Sequence, residues 1–218
     1  MKRSNVMGAL IYGNVATYKR RVAYHEAGHA AAIHFNNRLK QLPPVFFKIL
    51  LEDIANCASS ECVASIKGGR LIQGLPFVFN DGMTETSTCR DAVMFRFSDG
   101  YHPAFEADIV NLLVGPLAEA KCIALMDDEL FHPELLLAHA LKNYGGEDDL
   151  AVVDDYLHSY SADKQIRDAS LIYFLNQAFY FVNDYKNWKA ITRLADYILA
   201  SDDNEISCEE AVFILDRQ

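Results

Sequence analysis

Apolar and polar positions along the chain change rhythm several times, and each change predicts an element. Residues 17 to 38 carry small and aliphatic side chains at helical spacing, with alanines concentrated between Ala23 and Ala32. That stretch predicts one helix, with Thr17 as its N-cap and Pro43-Pro44 closing the region. "VFFKILLEDIA" (45–55) and "ECVASI" (61–66) are rich in aliphatic and β-branched residues and predict two strands. Turns are expected at Gly68-Gly69 and Gly74, and "LPFVFNDG" predicts a further strand. From Ala104 the helical period dominates. "AFEADIVNLLVGPLAEAKCIALM" predicts a long apolar helix kinked at Pro116, which has no N–H to donate. "PELLLAHALKNY" predicts a helix stopped by Gly145-Gly146, and "EDDLAVVDDYLHSY" another with acids in its first turn. Helices over 163–185, at "WKAITRLADYILA" and at "SCEEAVFIL" complete the pattern. The expected fold class is mainly α with a small β-sheet (α+β), the sheet being inserted after the first helix. Residues 1–18 read as an N-terminal extension and 19–218 as a single domain, of which 161–218 is a C-terminal helical part.

Composition narrows the function classes. The 218 residues are 51% hydrophobic, enough to bury a sizeable core without disulfides or metals as staples. The net charge of −10 argues against broad binding to nucleic acid or anionic membranes, and the basic run Lys19-Arg20-Arg21 is too short to reverse that. Cys57, Cys62, Cys89, Cys122 and Cys208 are odd in number and lack a CxxC pair, which fits reduced thiols in a cytoplasmic protein. The apolar run from Val6 to Tyr12 follows Lys2 and Arg3 but is broken by glycines and lacks a small-residue cleavage site, so a secretory signal is not expected. No stretch reads as a run of ~20 apolar residues, so no membrane span is expected either.

The chemistry concentrates in "VAYHEAGHAAAIH", residues 22 to 34. On a helix, positions i and i+4 lie ~40° apart around the axis, so His25 and His29 can face one metal ion. Glu26 sits ~100° round from His25, where it flanks such an ion and can take a proton from a water beside it. This is the division of labour in H-E-x-x-H zinc peptidases. The same five residues also fit a buried helix whose histidines bond to backbone carbonyls. A third protein ligand is required for a catalytic zinc site. Ala32 and Phe35 stand where a metzincin has Gly and His, so that extension is absent. Glu52, Glu119 and Asp149 remain as candidates, with Glu52 in a strand-like run and Asp149 opening a helix after a glycine turn.

Beyond these residues the chain resembles the M41 peptidases, the protease domain of the FtsH-type AAA proteases. "VAYHEAGHA" is similar to that family's AYHEAGHA signature, and "LLVGPLAEAKC" to its LLGGRAAEE helix. "YGGEDDLAVVDDYL" is similar to the segment that holds the family's third zinc ligand, an aspartate. The C-terminal "FVNDYKNWKAITRLADYILASDDNEISCEEAVFIL" is similar to the family's closing pattern. The resemblance covers roughly residues 20 to 215 and implies Zn2+ held by His25, His29 and Asp149, with Glu26 as catalytic base. Asp148 lies next to Asp149, so the third ligand is open by one position. The implied fold is an FtsH-type helical peptidase domain with a small sheet whose edge receives an extended polypeptide.

Two departures shape the expectation. No GxxxxGK[ST] sequence occurs, and Gly115-Pro116 stands where the family has Gly-Gly-Arg. The expected function is a zinc metalloendopeptidase acting on polypeptides without ATP, or with a separate AAA unfoldase or self-association. The alternative is a catalytically inactive zinc-binding scaffold of the same type, and a third reading is a metal hydrolase acting on a non-peptide bond. Glu119 reads either as a carboxylate supporting a ligand histidine or as a surface acid. His34 reads as structural, and His102, His132, His139 and His158 show no pairing pattern. The aromatic run 173–181 is expected to pack in the core, and Asp154-Asp155 and Asp202-Asp203 to be solvated.

Overall fold

The computed structural model describes residues 15–52, 63–72, 101–132 and 138–217. The chain is mainly helical, with a small three-stranded antiparallel sheet. Helix α1 spans Val15–Leu39, strand β1 Phe47–Glu52 and strand β2 Val63–Gly68. Helix α2 spans Tyr101–Met126 and is followed by a 3-10 turn at Ala138–Tyr144. Then come α3 (Glu147–Tyr160), α4 (Lys164–Asn183), α5 (Tyr185–Ala200), β3 (Glu205–Ile206) and α6 (Cys208–Asp216).

Helix α1 runs through the centre because its side chains are small. Val22, Ala23, Ala27, Ala30, Ala31 and Ala32 are all fully buried. Gly28 meets α2 so closely that a Cβ there would come within 2.7 Å of the Ala118 Cβ and 3.0 Å of the Val114 carbonyl oxygen. Only glycine permits that approach, and it brings α1, which carries His25 and His29, into direct contact with α2. One core packs α1 against the sheet, α5 and α6; a second gathers α2, α3 and α4 around Phe105, Leu113 and Tyr156.

The sheet order is β2-β1-β3, with Phe47 opposite Gly68, Ile49 opposite both Ile66 and Ile206, and Leu51 opposite Ala64. Strand alternation turns Phe47, Ile49, Leu51, Ala64 and Ile66 inward, while Lys48 and Lys67 face outward. Gly68 and Gly69 both have positive φ, at 86° and 81°, as a turn there requires. A Cβ on Gly69 would overlap Ile33, so this turn is seated on α1 one helical turn beyond His29.

Several elements differ from the pattern-based expectation. Helix α1 spans Val15–Leu39, so Thr17 lies inside its first turns and is not its cap. Strand β1 ends at Glu52; the side chain of Glu52, residues 53–62, and Gly74 with the "LPFVFNDG" strand lie outside the described residues. Helix α2 begins at Tyr101, three residues early, and passes Pro116 as one continuous element. The described part of "PELLLAHALKNY" is a 3-10 turn and not an α-helix. The helix expected over 163–185 ends at Asn183, because Asp184 accepts hydrogen bonds from the Lys186 and Asn187 amides and starts α5 at Tyr185. The two-residue β3 had no detectable pattern of its own.

Burial also corrects the aromatic run. Phe174 is buried, but Tyr173 and Tyr180 are 52% and 70% exposed, because α4 packs by the face of Phe174, Ala178 and Val182. Helix α2 has the length and composition of a membrane-crossing helix, against the expectation of no such run. Most of it is buried within the fold, and Asp108, Asn111 and Glu119 are buried with it. Cys122 and Cys208 are free thiols; burial pushes the Cys122 thiol up to about 11, far from thiolate reactivity.

Candidate metal centre

Three side chains converge from two helices that are far apart in sequence. His25 and His29 project from α1 one turn apart, and Asp149 stands in the first turn of α3. The Nε2 atoms of the two histidines are 3.1 Å apart. Asp149 Oδ2 lies 3.2 Å from His25 Nε2 and 3.4 Å from His29 Nε2. All three side chains are buried, with Asp149 at 1% exposure and both histidines at 0%. Neighbouring Asp148 is exposed, and of the two acids it is Asp149 that lies against the histidines.

The tautomers follow from the outer partners of each ring. His29 Nδ1 is 2.8 Å from the backbone carbonyl oxygen of Asn111, an acceptor only, so Nδ1 carries the proton. His25 Nδ1 is 3.1 Å from Glu119 Oε2 and donates to it in the same way. In the neutral rings both Nε2 atoms then present lone pairs toward each other and toward a carboxylate oxygen. Three acceptors at that spacing repel unless a cation lies among them. Ligand atoms held about 2.0–2.1 Å from a tetrahedral zinc ion stand roughly 3.3–3.4 Å apart, close to the triangle seen here.

Charge counting points the same way. The buried carboxyl groups of Glu26, Glu119 and Asp149 surround the two imidazoles. Arg21 supplies one positive charge through Nε, 2.9 Å from Glu119 Oε1. A divalent cation would balance the two that are left and would also suit the lone-pair geometry. Without a metal, burial would lower the His25 pKa, but hydrogen bonds to Asp149 and Glu119 and the charges of Asp149 and Glu26 outweigh it and raise it to about 10. Burial pushes Asp149 up, yet the two histidines reverse this and hold it below its ordinary value. The site draws in positive charge, whether from a proton or a metal.

Glu26 has the environment of a base held in reserve. It is fully buried, and neither carboxylate oxygen has a hydrogen-bond partner among the described residues. Burial raises its pKa, with His25 and His29 opposing the shift and Asp149 adding to it. An unpartnered buried carboxylate is costly and points to a group it is built to meet. Asp149 Oδ1 is unpartnered in the same sense, which leaves it available to a ligand.

Glycines and a buried polar network make room for this cluster. A Cβ on Gly115 would overlap the His29 ring at Nε2 and Cε1 and come within 2.6 Å of Cδ2. A Cβ on Gly146 would meet the Pro116 ring at 2.8 Å, so Gly115-Pro116 fits the helix carrying His29 on one side and the turn before Asp149 on the other. Gly145 has φ +71°, the left-handed conformation that turns the chain into α3. Asn111 bonds Asn36 and Asn37 with its side chain at 3.0 Å each, which fixes the carbonyl that orients His29.

Of the expected site residues, the structure brings His25, His29 and Asp149 together, with the buried Glu26 next to His25 in the chain. Glu119 stands behind His25 as its hydrogen-bond partner and not as a direct member of the triangle. His34 pairs with Asp216 at 2.9 Å, a structural contact. Asn111 and Gly115 were not singled out as functional; a carbonyl's role has no side-chain signature, and Gly115 was noted only as a departure from a family pattern. No protein-family model, curated protein or solved structure matches the chain.

Proposed function

We propose that this chain is a zinc-dependent peptidase of the M41 type that hydrolyses peptide bonds of unfolded polypeptides. The observation that carries the reading is the pairing of a buried His25–His29–Asp149 acceptor triangle with the orphaned carboxylate of Glu26. A zinc ion held by those three residues supplies Lewis-acid polarisation of a carbonyl and lowers the pKa of water toward ~7.

The chain's own groups supply the rest. Glu26 takes a proton from the attacking water and returns it to the leaving amine; burial raises its pKa toward the range a general base needs. Glu119 holds His25 in the tautomer that frees Nε2, and the Asn111 carbonyl does the same for His29. Strand β2 is at one end of the sheet order, and its outer edge has no partner strand among the described residues. Because its terminal turn sits on α1 beyond His29, that edge can align an extended backbone without reading its sequence.

The test is cleavage of an unfolded protein by the zinc-loaded chain and by Glu26→Gln. The wild type should cut while the variant keeps its zinc and loses at least about a hundredfold in rate. A zinc-loaded wild type as inert as the variant would favour the scaffold reading instead.

A further inference from the structure

Of the basic run before the motif, Lys19-Arg20-Arg21, only Arg21 has entered so far, and only as a positive charge beside Glu119. Arg21 nevertheless makes two directed hydrogen bonds to separate elements. Its Nε donates to Glu119 Oε1 at 2.9 Å on α2, and its Nη2 donates to the backbone carbonyl of Asn143 at 3.2 Å in the 3-10 turn. Asn143 stands two residues before Gly145, and the chain turns there directly into the helix carrying Asp149.

We propose that Arg21 is the positioning residue that registers the third ligand against the histidine pair, an inference that rests on the metal-centre reading above. It lies one helical turn before His25, so its backbone moves with both histidines. One end of its guanidinium steadies the carboxylate that orients His25. The other holds the turn that sets where Asp149 enters. A planar guanidinium offers donors in a fixed fork and can serve two acceptors at once, whereas an ammonium on a flexible stem acts as a point charge. Its side chain is 19% exposed while Glu119 is fully buried, so the contact sits at the wall of the site.

The account predicts a metal phenotype beyond any general loss of stability. Zinc affinity of the purified chain is measured by chelator competition for wild type, Arg21→Met and Arg21→Lys, together with metal-free melting temperatures and the absorption spectrum of the Co2+-loaded forms. Arg21→Met should bind zinc roughly 10–100-fold more weakly, as loss of an outer-shell partner does, and should show an altered Co2+ spectrum. Arg21→Lys should recover part of the affinity but not the wild-type spectrum, and it carries the test if Arg21→Met does not fold. A lowered metal-free melting temperature with unchanged zinc affinity and spectrum would overturn the positioning role and leave the metal centre standing. A wild type that binds no zinc would overturn the reading on which the proposal rests.

Discussion

Gly115 faces the ring of His29 at a distance that no side chain tolerates: a methyl group there would overlap the ring at Nε2, the nitrogen aimed at Asp149. The ring cannot simply swing away, because its other nitrogen is bonded to the Asn111 carbonyl at 2.8 Å. Gly115→Ala should therefore displace a metal-binding atom. Zinc affinity should fall by roughly 10–100-fold, accompanied by about 1–3 kcal/mol of destabilisation from overpacking. Chelator competition and urea unfolding measure the two effects separately.

Adjacent acids separate the ligand from its neighbour. Asp149 is buried against both histidines, while Asp148 is exposed. Asp149→Asn should abolish tight zinc binding, and Asp148→Asn should leave affinity within about twofold, as expected of a surface substitution. Equal effects of the two changes would show that Asp149 is not the third ligand.

Much of this was legible in the sequence, and the reasons differ between elements. The H-E-x-x-H spacing encodes local geometry, so the pair of histidines could be placed from their positions alone. Asp149 is 120 residues beyond His29 in the numbering, and only the resemblance singled it out. In the sequence Glu119 reads more readily as a surface acid than as a supporting carboxylate, because helical spacing does not say which face of an apolar helix meets α1. The break at Asp184 was missed because helical pattern continues on both sides, and the side-chain cap that ends one helix also begins the next. Exposure of Tyr173 and Tyr180 could not be read from period, since α4 is apolar on most of its surface and packs by only one narrow face.

Protons and metal compete for the same site, which gives stability a definite pH dependence. In the metal-free chain the His25 pKa is raised to about 10, so its stabilising contribution is fully present below about 6.5 and is lost as pH rises through about 10. Glu26, also raised, acts in the same direction above its ordinary value. The lowered pKa of Asp149 acts oppositely, its contribution being lost as pH falls below about 4. Metal-free protein should thus melt lower at pH 10 than at pH 7. Zinc affinity should rise about tenfold per pH unit over that window, since one His25 proton leaves as the metal enters. Calorimetric melting with and without zinc across pH 6–10 checks both signs.

A buried carboxylate outside the centre provides a control. Asp108 on α2 accepts hydrogen bonds at 2.9 Å from the Leu71 and Ile72 amides and at 2.8 Å from the Tyr156 hydroxyl. It ties the segment after β2 to α2 and α3, with burial raising its pKa. Tyr156→Phe should cost about 2 kcal/mol, the value of a hydrogen bond to a buried charged group, with zinc affinity unchanged. Unfolding curves and chelator competition on the same sample separate these two quantities.

The central claim is that three converging acceptors, His25, His29 and Asp149, are built around a divalent metal. Titration of the metal-free chain with Zn2+ by calorimetry tests it most directly. The account predicts one site per chain, proton release on binding at pH 7, and loss of that site in Asp149→Ala. Absence of saturable binding in the wild type, or an isotherm that Asp149→Ala leaves unchanged, would contradict it.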